Sequence, residues 1–285
     1  MINLGYACQL IENNKIISCS HTCTMKTINK GNYIPILIEK SKLNLNNLQY
    51  ILDYNLKNNI NFFRISAELI PFMDLWKFDE YLKNDFNKIN IKNIRLDIHA
   101  NHFTVLNSLN NNVINKSIIN LNNLYKIMIL LKIKYPKIIL HVGSSKPNKE
   151  KAINRFINNF NLLNDDIKNS IILKNDDKVF NANDIFYICN KLNIPMVFDI
   201  HYHRINHCNF DFNNFIKTWN NQELKPKMHI SSSKDKKNIR AHNNYINYNE
   251  YKDFFKFIQS YDIDIMIEAK MKNLALLKLR NEIDL

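Results

Sequence analysis

Pro195-Met196-Val197-Phe198-Asp199 is a short apolar run that stops on a carboxylate. The pattern recurs along the chain. Ile138-Ile139-Leu140-His141 and Arg95-Leu96-Asp97-Ile98-His99 stop on imidazoles, and Met266-Ile267-Glu268 stops on a second carboxylate. Short runs rich in Ile, Val, Leu and Phe, mostly without alternation, predict strands buried on both faces. Eight are expected, at residues 2–7, 60–65, 93–99, 137–142, 170–174, 195–200, 226–230 and 263–268.

Helical periodicity lies between them. Ile114, Ile118, Leu121, Tyr125 and Met128 recur at helical spacing, as do Ile153, Phe156, Ile157, Phe160 and Leu163. So do Ile185, Ile188, Cys189 and Leu192, and again Tyr251, Phe254, Phe255 and Ile258. Eight strands alternating with helices predict parallel βα units closed into a (β/α)8 TIM barrel, as one domain over residues 1–285. An open doubly wound sheet would more usually show a Gly-rich phosphate loop after its first strand. The chain has only Gly5, Gly31 and Gly143, and no such loop.

The net charge of +13 favours a polyanionic partner, nucleic acid first. Abundant Asn, Lys and Ile fit an AT-rich coding bias, which by itself raises Lys. The five cysteines are an odd count with no secretory signal, so reduced thiols and an intracellular site are expected: cytoplasm or nucleoid, or a nucleus or viral factory. No apolar run reaches membrane-spanning length, so no membrane partner is expected.

A barrel carries its chemistry at the C-terminal ends of its strands. The expected ends present His99, His141, Lys174, Asp199 followed by His201 and His203, Lys227 with His229, and Glu268; His242 lies in the loop after strand seven. Imidazoles and carboxylates at one rim suit Mn, Zn or Fe(II). Such a site suits phosphodiester hydrolysis, and suits equally a sugar isomerase or epimerase. Lys146 and Lys149 after strand four, and Lys234, Lys236, Lys237 and Arg240 after strand seven, would put cations on the same face for backbone phosphates. Tyr6, Phe103 and Tyr202 add aromatics there for stacking or wedging.

Several segments in this order resemble the UV damage endonuclease family over nearly the whole chain. They are Leu4-Gly5-Tyr6, Phe63-Arg64-Ile65-Ser66, Leu69-Ile70-Pro71, His99-Ala100-Asn101-His102-Phe103 and His141-Val142-Gly143. Further along come Asn148-Lys149-Glu150-Lys151-Ala152, Asn175-Asp176-Asp177, Pro195-Met196-Val197-Phe198-Asp199, Pro226-Lys227-Met228-His229 and Met266-Ile267-Glu268-Ala269-Lys270. The resemblance implies a barrel acting on double-stranded damaged DNA as a monomer, nicking immediately 5′ to a pyrimidine dimer or abasic site. It implies up to three divalent cations, typically manganese, held by His99, His141, Asp199, His229, His242 and Glu268, with His201 or His203 as a further ligand. By the same resemblance, Lys227 matches a lysine that is carbamylated to help bind metal, and Lys227, His229 and Glu268 are the catalytic candidates. Tyr6 matches a damage-pocket aromatic, and His102-Phe103 replaces a damage-probing Gln-Tyr pair.

The chain departs from the family pattern in three further places. Lys174 stands where the family has a metal-bridging Glu, Leu75 stands where it has His, and Tyr202 separates His201 from His203 where the family has adjacent histidines. These departures keep open a catalytically impaired homologue that binds damaged DNA without cutting it.

Overall fold

The computed structural model describes residues 2–283. Strand β1 (Ile2–Ala7) is followed by a hairpin, β2 (Gln9–Glu12) and β3 (Lys15–Ser18), and then by helices α1 (Met25–Asn29) and α2 (Ile34–Lys57). Next come β4 (Phe62–Ile65), α3 (Phe78–Asn87), β5 (Arg95–His99), α4 (Asn111–Leu130), β6 (Ile138–Leu140), α5 (Lys149–Phe160) and α6 (Asp165–Ser170). The chain continues through β7 (Ile171–Lys174), α7 (Ala182–Leu192), β8 (Met196–Asp199), α8 (Ile200–Ile205) and α9 (Phe212–Lys217). It closes with β9 (Lys227–Ile230), α10 (Tyr248–Ile258), β10 (Ile263–Ile267) and α11 (Lys272–Glu282). Eight parallel strands form a closed barrel in the order β1-β10-β9-β8-β7-β6-β5-β4, and β2 pairs antiparallel with β3 outside it. This is the (β/α)8 architecture expected from the alternation of short apolar runs and helical stripes.

The helical stripes pack on the barrel as their spacing requires. Leu121, Leu124, Ile127 and Met128 of α4 are fully buried, each worth about 1.5–3 kcal/mol when removed from water. The abundant asparagines have more structure than a coding bias supplies. Asn110, Asn148, Asn164 and Asn181 are N-caps whose side chains accept from backbone N–H groups, at about 1 kcal/mol each. No helix among the described residues is long and apolar enough to cross a membrane.

The barrel interior departs from the usual apolar filling. Near the N-terminal end, Arg95 Nη1 bonds Asp264 Oδ2 at 2.5 Å. One layer up, Lys227 pairs with Asp97, both fully buried. At the C-terminal rim, Arg64 pairs with Glu268. Residues two apart on a strand face the same way, so Arg95, Asp97 and His99 on β5 climb one inner column, as do Lys227 and His229 on β9. The barrel is thus filled by stacked ion pairs, each cation matched to an anion because an unmatched buried charge costs several kcal/mol.

Gly143 begins the loop after β6 at φ +113°, and a Cβ there would lie 2.4 Å from Asn107 Oδ1. Asn107 clamps that loop, donating to Ser144 O at 2.6 Å and accepting from Ser144 N at 3.1 Å. Gly143→Ala is therefore expected to cost about 1–3 kcal/mol through backbone strain and to loosen the loop beside His141. Urea denaturation followed by circular dichroism measures it; an unchanged midpoint would show that the clamp tolerates the methyl.

Candidate active site

Six barrel strands bring their ends to one point. Asp199, His229 and Glu268 are buried and present ligand atoms within 4.8 Å of one another. Into that point reaches Lys174 from the end of β7, almost fully buried. Its Nζ lies 3.0 Å from Asp199 Oδ2, 3.1 Å from His229 Nδ1 and 3.2 Å from Glu268 Oε2. The Tyr202 ring lies 4.6 Å from the same nitrogen. Burial disfavours the Lys174 charge, but Glu268 and Asp199 outweigh it and raise its pKa. Burial likewise opposes the Glu268 charge, yet Lys174, Arg64 and His229 hold its carboxyl well below the usual range.

Asp199 is fixed from both sides. Its backbone exchanges hydrogen bonds with the Asn175 side chain, at 2.8 Å and 3.0 Å. Its Oδ1 caps α8 by accepting from Tyr202 N at 2.9 Å, which leaves Oδ2 to Lys174.

The histidines are arranged differently. His99 Nδ1 lies 2.7 Å from its neighbour's carbonyl at Ala100, and His141 is hydrogen-bonded to the Lys174 backbone. The two rings are 5.1 Å apart, and His141 Nδ1 is buried without a partner. A ring nitrogen anchored to a backbone carbonyl with the other left open is how proteins orient metal-ligating histidines. His201 repeats the arrangement, with a backbone bond to Ile239 and an unpartnered Nε2, beside His242 at 6.2 Å between rings. The chemistry of these donors fits a divalent metal. The Asp199–His229–Glu268 group has suitable donors too, but its interior holds an ammonium, so a full three-ion cluster does not fit.

Burial pushes His141 down to about 3, with Lys174 adding to the shift, and lowers His99 and His229 well below 6.5. The unfolded chain takes up protons near 6.5 that the fold refuses until far lower pH. Acidification therefore favours unfolding, and stability falls as pH drops below about 6.5. Each such histidine contributes up to about 1.4 kcal/mol per pH unit across its interval. Melting temperatures between pH 7 and pH 4.5 are expected to fall steeply, and less steeply in His141→Asn; a flat profile would contradict the neutral assignment.

A family model described as UV-endonuclease UvdE matches residues 2–285. The chain belongs to the UvdE family of UV-endonucleases. A UV DNA damage endonuclease of Bacillus cereus (strain B4264) is 32% identical, across 99% of this chain and 95% of its own. Another, from Bacillus thuringiensis subsp. konkukian (strain 97-27), is 34% identical across 87% of this chain and 83% of its own. The crystal structure of SacUVDE superposes with a TM-score of 0.88 at 29% identity, covering 100% of this chain and 99% of that one. Membership makes the chain a DNA repair endonuclease by family, with DNA as the substrate class. A D-tagatose 3-epimerase-like protein shares only the fold, with a TM-score of 0.56 at 16% identity over 81% of this chain and 91% of that one.

Within this UvdE barrel, several expected residues sit elsewhere than the resemblance implied. Lys227 lies a layer below the ligands and bonds Asp97, with Phe62 beneath it at 5.1 Å. Burial pushes its ammonium down to about 7 against the opposing charge of Asp97. In this structure Lys227 pairs with Asp97, and nothing places it against the metal-ligand candidates. Tyr6 is fully buried, donates from its hydroxyl to Asn55 Oδ1 at 2.7 Å and packs on Phe63. His203 turns away from the rim onto Phe198 and His207, at 5.1 Å and 5.3 Å between rings. His201, two residues earlier, faces His242.

The remaining candidates lie on the rim. His102 and Phe103 are exposed and lie with their rings tilted against each other, 4.0 Å between centroids. A cavity of about 430 Å³ beside them is lined by His102, His141, Asp176, Asp177 and Tyr202 among others. Neither acid after β7 substitutes for the missing glutamate. Asp176 accepts from the backbone N–H groups of Lys178, Val179 and Phe180, and Asp177 pairs with Arg240 at 3.0 Å. Lys146, Lys234, Lys236 and Lys237 are exposed, and Lys149 pairs with Asp184 at 2.8 Å. Two site residues escaped the sequence reading. Arg64 and Asp97 sit mid-strand, and their signal was a charge at an inward-facing position of an otherwise apolar run.

Proposed function

We propose that this chain, a monomer working inside the cell, binds double-stranded damaged DNA and hydrolyses the phosphodiester immediately 5′ to the lesion, with manganese as its ion. The observation that carries this reading is the His99–His141 pair, with His99 anchored on a backbone carbonyl and His141 Nδ1 left open, beside a rim cavity and an exposed aromatic step. A divalent ion held there would acidify water and offset charge on the phosphate. His99 and His141 are the residues to hold it. The exposed Phe103, backed by His102, supports a wedge at a base step that damage has already weakened. Lys146 and the 234–240 loop support contacts to backbone phosphates on either side.

Supercoiled plasmid tests the reading. UV-irradiated plasmid is expected to become nicked in manganese and not in EDTA, while unirradiated plasmid stays supercoiled; equal nicking of both would refute it. Lys174 at the centre of the carboxylate group favours a second reading, a damaged-DNA binder without cleavage. Retention of irradiated duplex without any nick in manganese or magnesium would select it.

Either reading requires cations against the phosphate backbone. Replacing Lys234, Lys236 and Lys237 together by alanine is expected to weaken binding across all sequences. It should also flatten the slope of log K against log salt by about 0.9 for each phosphate no longer neutralised. An unchanged slope would place the DNA elsewhere.

A further inference from the structure

We infer that Lys174 is the resident cation of the Asp199–His229–Glu268 site, so that this site takes no divalent ion and metal is confined to the histidine side. An ammonium has three N–H donors and no acceptor. Here two N–H groups meet Asp199 Oδ2 at 3.0 Å and Glu268 Oε2 at 3.2 Å, and His229 Nδ1, which also lies 3.2 Å from Glu268 Oε1, stands 3.1 Å from the nitrogen. The fourth side is the long stem of the side chain, and the face of Tyr202 lies 4.6 Å from the nitrogen. A divalent ion would need the same oxygens at about 2.0–2.2 Å, inside the contact distance of the ammonium that already fills the space.

Two further features fit a site built for this cation. Asp199 is locked in place by Asn175 and by the N-terminus of α8, so its free oxygen points at Lys174 without rearrangement. Glu268 turns Oε1 to Arg64 and His229 and Oε2 to Lys174. Two carboxylates, Lys174 and Arg64 sum to no net charge, with His229 neutral. An added divalent ion would leave the buried cluster with two uncompensated positive charges.

Lys174 and Tyr202 meet at this site. Both depart from the family pattern, and they touch each other. The ammonium takes over the space and the charge of an ion, and the aromatic face covers it on one side.

The inference uses the proposed function only to place metal at the histidines, and its test reads metal, not nicking. Wild type, Asp199→Asn, His141→Ala, Lys174→Gln and Lys174→Glu are stripped with EDTA, reloaded with manganese and desalted. Bound manganese per chain is then measured by mass spectrometry, with circular dichroism confirming the fold. The wild-type count is expected to be unchanged in Asp199→Asn and to fall in His141→Ala. Lys174→Glu is expected to gain at least one ion, and to lose it again when Asp199→Asn is added. If Lys174→Glu does not fold, Lys174→Gln makes the same comparison with the charge removed. A wild-type count that falls in Asp199→Asn, or that equals the count in folded Lys174→Glu, would overturn the inference. Loss of nicking with this pattern intact would refute the proposed function and leave the inference standing.

Discussion

Glu268→Ala is expected to lower the folding stability by about 3–5 kcal/mol and to abolish nicking. Glu268 is the anion shared by Arg64, Lys174 and His229. Without it, Arg64 and Lys174 are buried cations with only Asp199 between them. Arg64 is 12% exposed at its side chain and Lys174 is 2% exposed, so solvent cannot replace the lost charge. Urea denaturation gives the stability, and nicking is measured at a temperature where the variant is still folded. Glu268→Gln keeps the shape and some hydrogen bonding, and should fall between wild type and alanine. A loss below about 1 kcal/mol would mean the ion pairs are far more hydrated than their burial implies.

Lys174→Ala has the second large effect, and its direction depends on metal. Removing the ammonium leaves Asp199 and Glu268 facing each other with Arg64 on one side only, again a cost of about 3–5 kcal/mol. The emptied space is then lined by two carboxylates and an imidazole, a donor set for manganese. Adding manganese at about 100 times its dissociation constant should restore about 2.7 kcal/mol to the variant. Wild type should gain only what its histidines supply. Paired melting curves with manganese or EDTA measure this. The same manganese response in both proteins would show that Lys174 does not guard the site.

Much of the barrel was legible because a strand buried on both faces must be apolar. A run such as Pro195-Met196-Val197-Phe198, too short for a helix and too apolar for a loop, fits little besides such a strand. The observed strands lie inside the expected ranges, trimmed where pairing stops. The 60–65 run loses its start because Asn59 turns left-handed, at φ 54°, and pairing begins at Phe62. The β2–β3 hairpin was not expected. Its sequence, Gln9 to Ser18, carries no Gly at the turn; Asn13 and Asn14 adopt the positive φ values instead, at 49° and 59°.

The site was legible in part for the same reason. A polar residue that ends an apolar run has to face the barrel mouth or solvent, and His99, His141, Asp199 and Glu268 all do the former. What sequence position does not give is the partner. Tyr6 reads as a rim aromatic, but strand alternation turns it outward onto α2. Lys227 and His229 share a column, yet their separation by one layer gives Lys227 to Asp97. Lys174 reads as a residue that would repel metal; the structure adds that its ammonium lies within 3.2 Å of Asp199, His229 and Glu268.

The central claim is that this UvdE barrel cuts damaged duplex DNA beside the lesion. An end-labelled duplex with a single cyclobutane pyrimidine dimer, incubated with the purified protein and manganese, tests it most directly. The expected product is one strand break immediately 5′ to the dimer, absent from the matching undamaged duplex and lost in Glu268→Ala. Binding of the dimer duplex with no break at any position, in manganese or in magnesium, would contradict the claim.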